Sequence, residues 1–164
     1  MIIQENNVFT NDELSYFKNI IDNFIVDESP IFLKFIKRND YFKQKITLNT
    51  NIENRIKTII KKHISKEVII DTVWLNMVDN NSNKNDDYHR DSTNMSFVIY
   101  PLKSFEGGEL ECVINNEVKN FEVEENSIVI MLHNIEHRVK PVIDGVRWSI
   151  AVFCNYDLKT KILI

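Results

Sequence analysis

His89, Arg90 and Asp91 place an imidazole and a carboxylate two positions apart, just ahead of the apolar run Met95 to Tyr100. In extended backbone, residues two apart share a face. His89 and Asp91 can therefore aim a ring nitrogen and a carboxylate oxygen at one point. Those groups supply two members of a 2-His-1-carboxylate facial triad, the donor set that holds non-heme Fe(II) and leaves positions open for oxygen and a cosubstrate. The third member must come from a later strand, and among the four histidines only His133 and His137 lie downstream. His137 is the better placed. It opens the stretch "HRVKPVIDGVRWS", residues 137–149, in which Arg147 follows the turn signal Asp144-Gly145. A strand, a tight turn and a returning strand would bring Arg147 back beside His137. A guanidinium matches a carboxylate bidentately. A two-ended cosubstrate would then chelate the metal with one end and pair with Arg147 at the other. Ser149 shares the face of Arg147 and adds a hydrogen bond. His133 reads as a structural group or a neighbour of the site.

These residues need rigid elements to hold them. Thr10 or Asn11 can cap "DELSYFKNIIDNFI", where Leu14, Phe17, Ile20, Ile21 and Phe24 recur at helical spacing. "SPIFLKFIKRNDYFKQKI", residues 29–46, reads as a second helix or a pair of short ones. "NIENRIKTIIKKHI" is a third, with His63 a partly buried helix histidine and the basic residues on the wet face. After residue 67 the period changes to that of strands: "EVIIDTVWLNMV", "MSFVIYPL", "ELECVIN", "VKNFEVE", "SIVIML", "HRVKPV" and "RWSIAVFCNY". The polar stretch at 79–87 is a loop. Short strands in series behind leading helices predict an antiparallel sandwich or barrel with helices on one face.

Bulk properties narrow the class. The 164 residues suit one domain, with helical support over about 1–66 and a β core over about 67–156. A content of 43% hydrophobic and 27% charged residues is globular. A net charge of −4 argues against a nucleic-acid partner. There is no secretory signal and no apolar run long enough to span a membrane, so the reading is a cytoplasmic protein with no membrane partner. Cys112 and Cys154 then read as reduced core residues. Exposed edge strands are compatible with a monomer or a dimer.

The pieces "HRD" (89–91), "YPL" (100–102), "FEGGEL" (105–110) and "HRVKPVIDGVRWS" (137–149) together resemble the Fe(II)/2-oxoglutarate-dependent dioxygenases, in particular the prolyl 4-hydroxylase-like (Pro/Lys hydroxylase-domain) branch. The resemblance covers roughly residues 70–155. It implies a mainly β fold with N-terminal helices, a double-stranded β-helix of the jelly-roll or cupin-like kind. It implies Fe(II) on His89, Asp91 and His137, and 2-oxoglutarate with its distal carboxylate on Arg147. Tyr100 matches a strand tyrosine that in some members bonds the same carboxylate. The implied activity is hydroxylation of a C–H bond by O2 with release of succinate and CO2, and ascorbate is implied as reductant. The usual substrate is a proline in a protein or peptide. The same chemistry on a free amino acid or small molecule, or a non-catalytic metal-binding jelly-roll module, are the alternatives. The nucleic-acid demethylases carry a second arginine where this chain has Phe153. Where many members have a tyrosine upstream of the His-x-Asp, Asn76 or Met77 stands here, and the long polar loop before His89 reads as a lid or a substrate edge. "FEGGEL" reads as a turn between strands, with Glu109 or Glu111 facing the site mouth.

Overall fold

The computed structural model of the chain describes residues 1–24, 42–64, 67–80 and 87–156. Among the described residues, two helices, α1 (Asn11–Asp22) and α2 (Thr50–Lys61), accompany ten strands. These are β1 (Ile2–Asn6), β2 (Phe42–Ile46), β3 (Val68–Asp79), β4 (Met95–Tyr100), β5 (Phe105–Gly107), β6 (Leu110–Ile114), β7 (Glu117–Phe121), β8 (Ser127–Leu132), β9 (His137–Val139) and β10 (Val142–Tyr156). The larger sheet has the order β1-β8-β4-β10-β3-β2, with β5 paired to β10; the smaller has the order β7-β6-β9. All the pairings are antiparallel. This is the antiparallel sandwich with helices on one face that the strand pattern predicts, and the mainly β, jelly-roll architecture behind N-terminal helices that the resemblance implies.

The larger sheet is covered on both faces, which explains the nearly continuous apolar runs of its central strands. One face packs Phe97, Ile99, Ile130, Ile150 and Val152 against Phe17 and Ile21 of α1 and Ile52, Ile56, Ile59 and Ile60 of α2. The other face sets Tyr100, Val129 and Met131 against Leu110 and Cys112 of the smaller sheet. Both cysteines are free and buried, and burial pushes each thiol up to about 12. They are packing residues, as expected.

Helix α1 starts where its sequence says. The Thr10 hydroxyl accepts from the Glu13 N–H at 3.3 Å, and the Glu13 carboxylate accepts from the Thr10 N–H at 2.7 Å. This reciprocal box satisfies two amides that a helix start otherwise leaves unpaired. Thr10→Ala is expected to cost about 1 kcal/mol of unfolding free energy, read from a urea melt, with turnover per folded molecule unchanged.

Three expectations are corrected. Phe42–Ile46, within the expected second helix at 29–46, is strand β2, paired along β3 from Phe42↔Met77 to Ile46↔Val73; the rest of that stretch lies outside the described residues. The supposedly helical N-terminal third also opens with β1, on the edge beside β8. In polar edge segments such as "IIQEN" and "FKQKI" nearly every position is partly buried and none fully, so they lack the buried–exposed alternation that marks a strand. Finally, Asp144-Gly145 is not a chain reversal. β10 continues through it, paired with β5. Gly145 has φ +78°, and a Cβ would sit 2.1 Å from the Ser104 carbonyl oxygen. The register irregularity lies one step earlier, between Val142 and Asp144, and the glycine serves the close approach of β10 to the Ser104–Phe105 backbone. The chain instead leaves β9 for β10 at Lys140 and Pro141.

Among the described residues, no helix is long and apolar enough to cross a membrane. The 79–87 loop falls mostly outside the described residues.

Candidate active site

His89 and His137 meet on paired backbone. The His89 N–H donates to the His137 carbonyl at 3.0 Å, and the His137 N–H returns the bond at 2.9 Å. Their rings lie 4.5 Å apart between centroids. Asp91, two residues on from His89, brings Oδ2 to 3.8 Å from His137 Nε2. One ligand atom from each of the three residues lies within 4.8 Å of the others, so an ion bonding at about 2 Å can be reached by all three after small rotations. His133 stands apart, with Nδ1 3.2 Å from the Tyr156 hydroxyl. Spacing alone thus grouped the residues that the fold brings together.

Each imidazole is oriented by main chain. His89 Nδ1 lies 3.0 Å from the Asp87 carbonyl, and His137 Nδ1 lies 2.9 Å from the Ile135 carbonyl. A carbonyl only accepts, so Nδ1 carries the proton in both rings. Nε2 is then left with its lone pair toward the common point. Two neutral nitrogens and one carboxylate oxygen are the facial set suited to Fe(II).

Arg147 lines the same cavity, of about 170 Å³, between the sheets. It is 3% exposed. Its Nε donates to the Gly108 carbonyl at 3.1 Å, one terminal nitrogen to Ser149 Oγ at 2.9 Å, and the other to the Tyr100 hydroxyl oxygen at 2.8 Å. Both hydroxyl oxygens act as acceptors there, which leaves their own protons to donate. Burial raises the Tyr100 pKa although Arg147 opposes it, so the phenol stays protonated. Among the described residues no carboxylate pairs with Arg147. A buried cation surrounded by neutral groups is costly unless an anion joins it, and its charge is open to a carboxylate brought by a ligand.

Asn76, in register with Ser149, lines the cavity, whereas Met77 pairs with Trp148 and does not line it. Of the two, only Asn76 presents its side chain to the cavity. Phe153 also lines the cavity. Gly108 was not singled out by the sequence, yet it shapes the arginine's seat. Its φ is +66°, and an added Cβ would lie 2.9 Å from Arg147 Cδ. Gly108→Ala should therefore displace the guanidinium and raise KM for 2-oxoglutarate about tenfold or more, a shift of about 1.4 kcal/mol.

One expectation is corrected in part in this region. Of the two acidic residues of "GGELE", Glu111 does not face the site mouth. Leu110↔Val139 and Cys112↔His137 fix the cavity side of the β6–β9 pair, so Glu111, opposite Arg138, sits on the other face. Glu109 lies 3.9 Å from the Lys140 amine. Burial works to raise the Glu111 pKa, but hydrogen bonds from Arg138 and Tyr88 outweigh it and hold the carboxyl below its ordinary value.

The two sheets thus enclose one cavity that holds a donor set suited to Fe(II) and a buried guanidinium suited to an acidic ligand. The family model of the 2OG-Fe(II) oxygenase superfamily matches residues 74–155, half of the chain. The chain belongs to that superfamily. It is a dioxygenase that uses Fe(II) and 2-oxoglutarate. No curated protein matches it. Among solved structures, it is similar to an oxidoreductase of the 2OG-Fe(II) oxygenase family from Burkholderia pseudomallei, at 16% identity and TM-score 0.72 over 93% of this chain and 83% of that one. It is also similar to a prolyl hydroxylase from Trichoplax adhaerens in complex with a hypoxia inducible factor peptide fragment, at 12% identity and TM-score 0.71 over 98% and 87%. A third is the viral collagen prolyl hydroxylase of Paramecium Bursaria Chlorella virus-1 in its 2OG complex, at 12% identity and TM-score 0.66 over 93% and 94%. At such identities the likeness is one of fold.

Proposed function

We propose that this dioxygenase hydroxylates proline within a peptide, with His89, Asp91 and His137 as the ligands of Fe(II) and Arg147, Tyr100 and Ser149 as the seat of the cosubstrate's distal carboxylate. The observation that carries the site assignment is the convergence of the three ligand atoms within 4.8 Å on a cavity that also holds Arg147. When bound, the iron and 2-oxoglutarate supply oxidative decarboxylation to succinate and CO2, coupled to conversion of a C–H bond to C–OH by O2.

The chain's own part is orientation and shielding. The Asp87 and Ile135 carbonyls hold the two imidazoles with Nε2 inward. Asp91 contributes the one negative charge among the three ligands. Arg147 fixes the far end of the cosubstrate, and Tyr100 and Ser149 fix Arg147 while offering their hydroxyl protons to the same carboxylate. Val98, Leu110, Val139 and Val142 wall the cavity with apolar surface that keeps water from the reacting centre. Trp74 and Phe153 add aromatic surface against which a pyrrolidine ring can pack. The peptide assignment draws support from the prolyl hydroxylases among the similar structures, one of them with a peptide.

The test is incubation with Fe(II), 2-oxoglutarate and ascorbate, with proline-containing peptides in one arm and free proline in the other. Succinate should form in step with the gain of one oxygen atom on a peptide proline. Oxygen appearing on free proline alone, or succinate without any oxygenated peptide across the panel, would remove the peptide assignment and leave the iron chemistry standing.

A further inference from the structure

Behind the histidines, on the face of the smaller sheet turned away from the cavity, lies a second cluster. Tyr88 and Arg138 each adjoin a proposed ligand, His89 and His137 respectively. Because neighbours in extended backbone point to opposite faces, the two ligand rings project into the cavity while Tyr88 and Arg138 project behind it. There they meet Glu111 of β6. The Tyr88 hydroxyl donates to Glu111 Oε2 at 3.1 Å, and Arg138 Nε donates to the same oxygen. The Arg138 guanidinium also lies 4.5 Å over the Tyr88 ring, and the Lys140 amine is 3.9 Å from Glu111 Oε1. Glu111 is 6% exposed. Between the described parts of the two ligand segments the backbone makes a single isolated bridge, His89↔His137. One bridge is weak registration for two side chains that must agree on a common point. On the opposite flank of the bridge, Arg90 donates to the Asn134 carbonyl at 3.0 Å and to Glu136 at 3.2 Å, but there the arginine is mostly exposed and an exposed pair holds little.

We infer that Glu111 is a positioning residue of the metal centre: its buried carboxylate latches the Tyr88–His89 segment to the His137–Arg138 strand and so fixes the separation of the two imidazoles before metal arrives. The inference rests on the ligand assignment above and extends it to a residue that touches neither metal nor cosubstrate. A carboxylate that takes two donors from two segments transmits any loss directly to their spacing. A loosened spacing lowers the affinity of a three-ligand site for its ion.

The test is binding of Co(II) without 2-oxoglutarate, followed by the visible spectrum of the bound metal, in the wild type and in Glu111→Ala, Glu111→Gln, Tyr88→Phe and the Tyr88→Phe/Glu111→Ala double variant. Glu111→Ala should raise the Co(II) Kd by about 10- to 100-fold, the range for losing an outer support of a metal ligand. Glu111→Gln keeps the volume and one acceptor and should fall between it and the wild type. Tyr88→Phe should weaken binding severalfold alone but add almost nothing in the Glu111→Ala background, because the latch is then already open. Glu5→Gln, in the His63–Glu5–Lys62 group away from the site, should lower thermal stability with Co(II) affinity unchanged, which separates loosening of the site from general destabilisation. A Co(II) Kd within twofold of wild type in Glu111→Gln and Tyr88→Phe, or fully additive effects of Tyr88→Phe and Glu111→Ala, overturns the latch; should Glu111→Ala not fold, the Glu111→Gln and Tyr88→Phe values decide alone. Failure of the ligand assignment looks different: the wild type would not bind Co(II), or His89→Ala would bind it equally well.

Discussion

Arg147→Met is expected to remove most of the affinity for 2-oxoglutarate while Fe(II) binding persists. The guanidinium is buried and held at all three nitrogens by neutral oxygens, with no described carboxylate beside it. Its charge is therefore available to a ligand, in a place where water screens little. Truncating one partner of a buried charge pair costs roughly 2–5 kcal/mol, so KM for 2-oxoglutarate should rise by about 30-fold to several-thousand-fold. Arg147→Lys should fall between, since an ammonium keeps the charge and loses the fork. The clearest check is the thermal shift on adding 2-oxoglutarate to the metal-loaded protein, which reports binding by mass action. It should be present in the wild type and vanish in Arg147→Met. An undiminished shift would mean that the cosubstrate carboxylate sits elsewhere.

Loss of a proposed metal ligand should be larger still. Asp91→Ala removes the only negative charge among the three donors and leaves two neutral nitrogens to hold a dication. An outer support of a ligand is worth about 10–100-fold, and a ligand itself should exceed that range. Succinate formation by Asp91→Ala or His89→Ala is expected to fall more than about a hundredfold at any accessible Fe(II) concentration, with the circular dichroism spectrum unchanged. His133→Ala supplies the contrast. That imidazole reaches the Tyr156 hydroxyl and is no part of the donor set, so turnover should be retained.

The site was legible in the sequence where chemistry follows from spacing. His89 and Asp91 share a face because they are two apart in extended chain, and Arg147 and Ser149 do so for the same reason. What joins these pairs is not local. The route from His137 to Arg147 reads like a hairpin at Asp144-Gly145, because a glycine in a turn and a glycine at a close strand approach have the same signature; only the packing of Ser104 against Gly145 tells them apart. Helices α1 and α2 were legible because their isoleucines, phenylalanine and caps agree. β1 and β2 were not, since polar edge strands draw their order from the neighbour they pair with. Glu111 was misread because a strand covered on both faces does not show, from its pattern, which side meets the cavity.

In the proposed centre three side chains share one iron. The most direct measurement is anaerobic addition of Fe(II) and then 2-oxoglutarate, watching for the visible charge-transfer absorption that appears when the 2-oxo acid chelates the metal. The wild type should develop the band at one iron per chain, and His137→Ala should not. A band of full intensity in His137→Ala would mean that the metal is held by another set of residues.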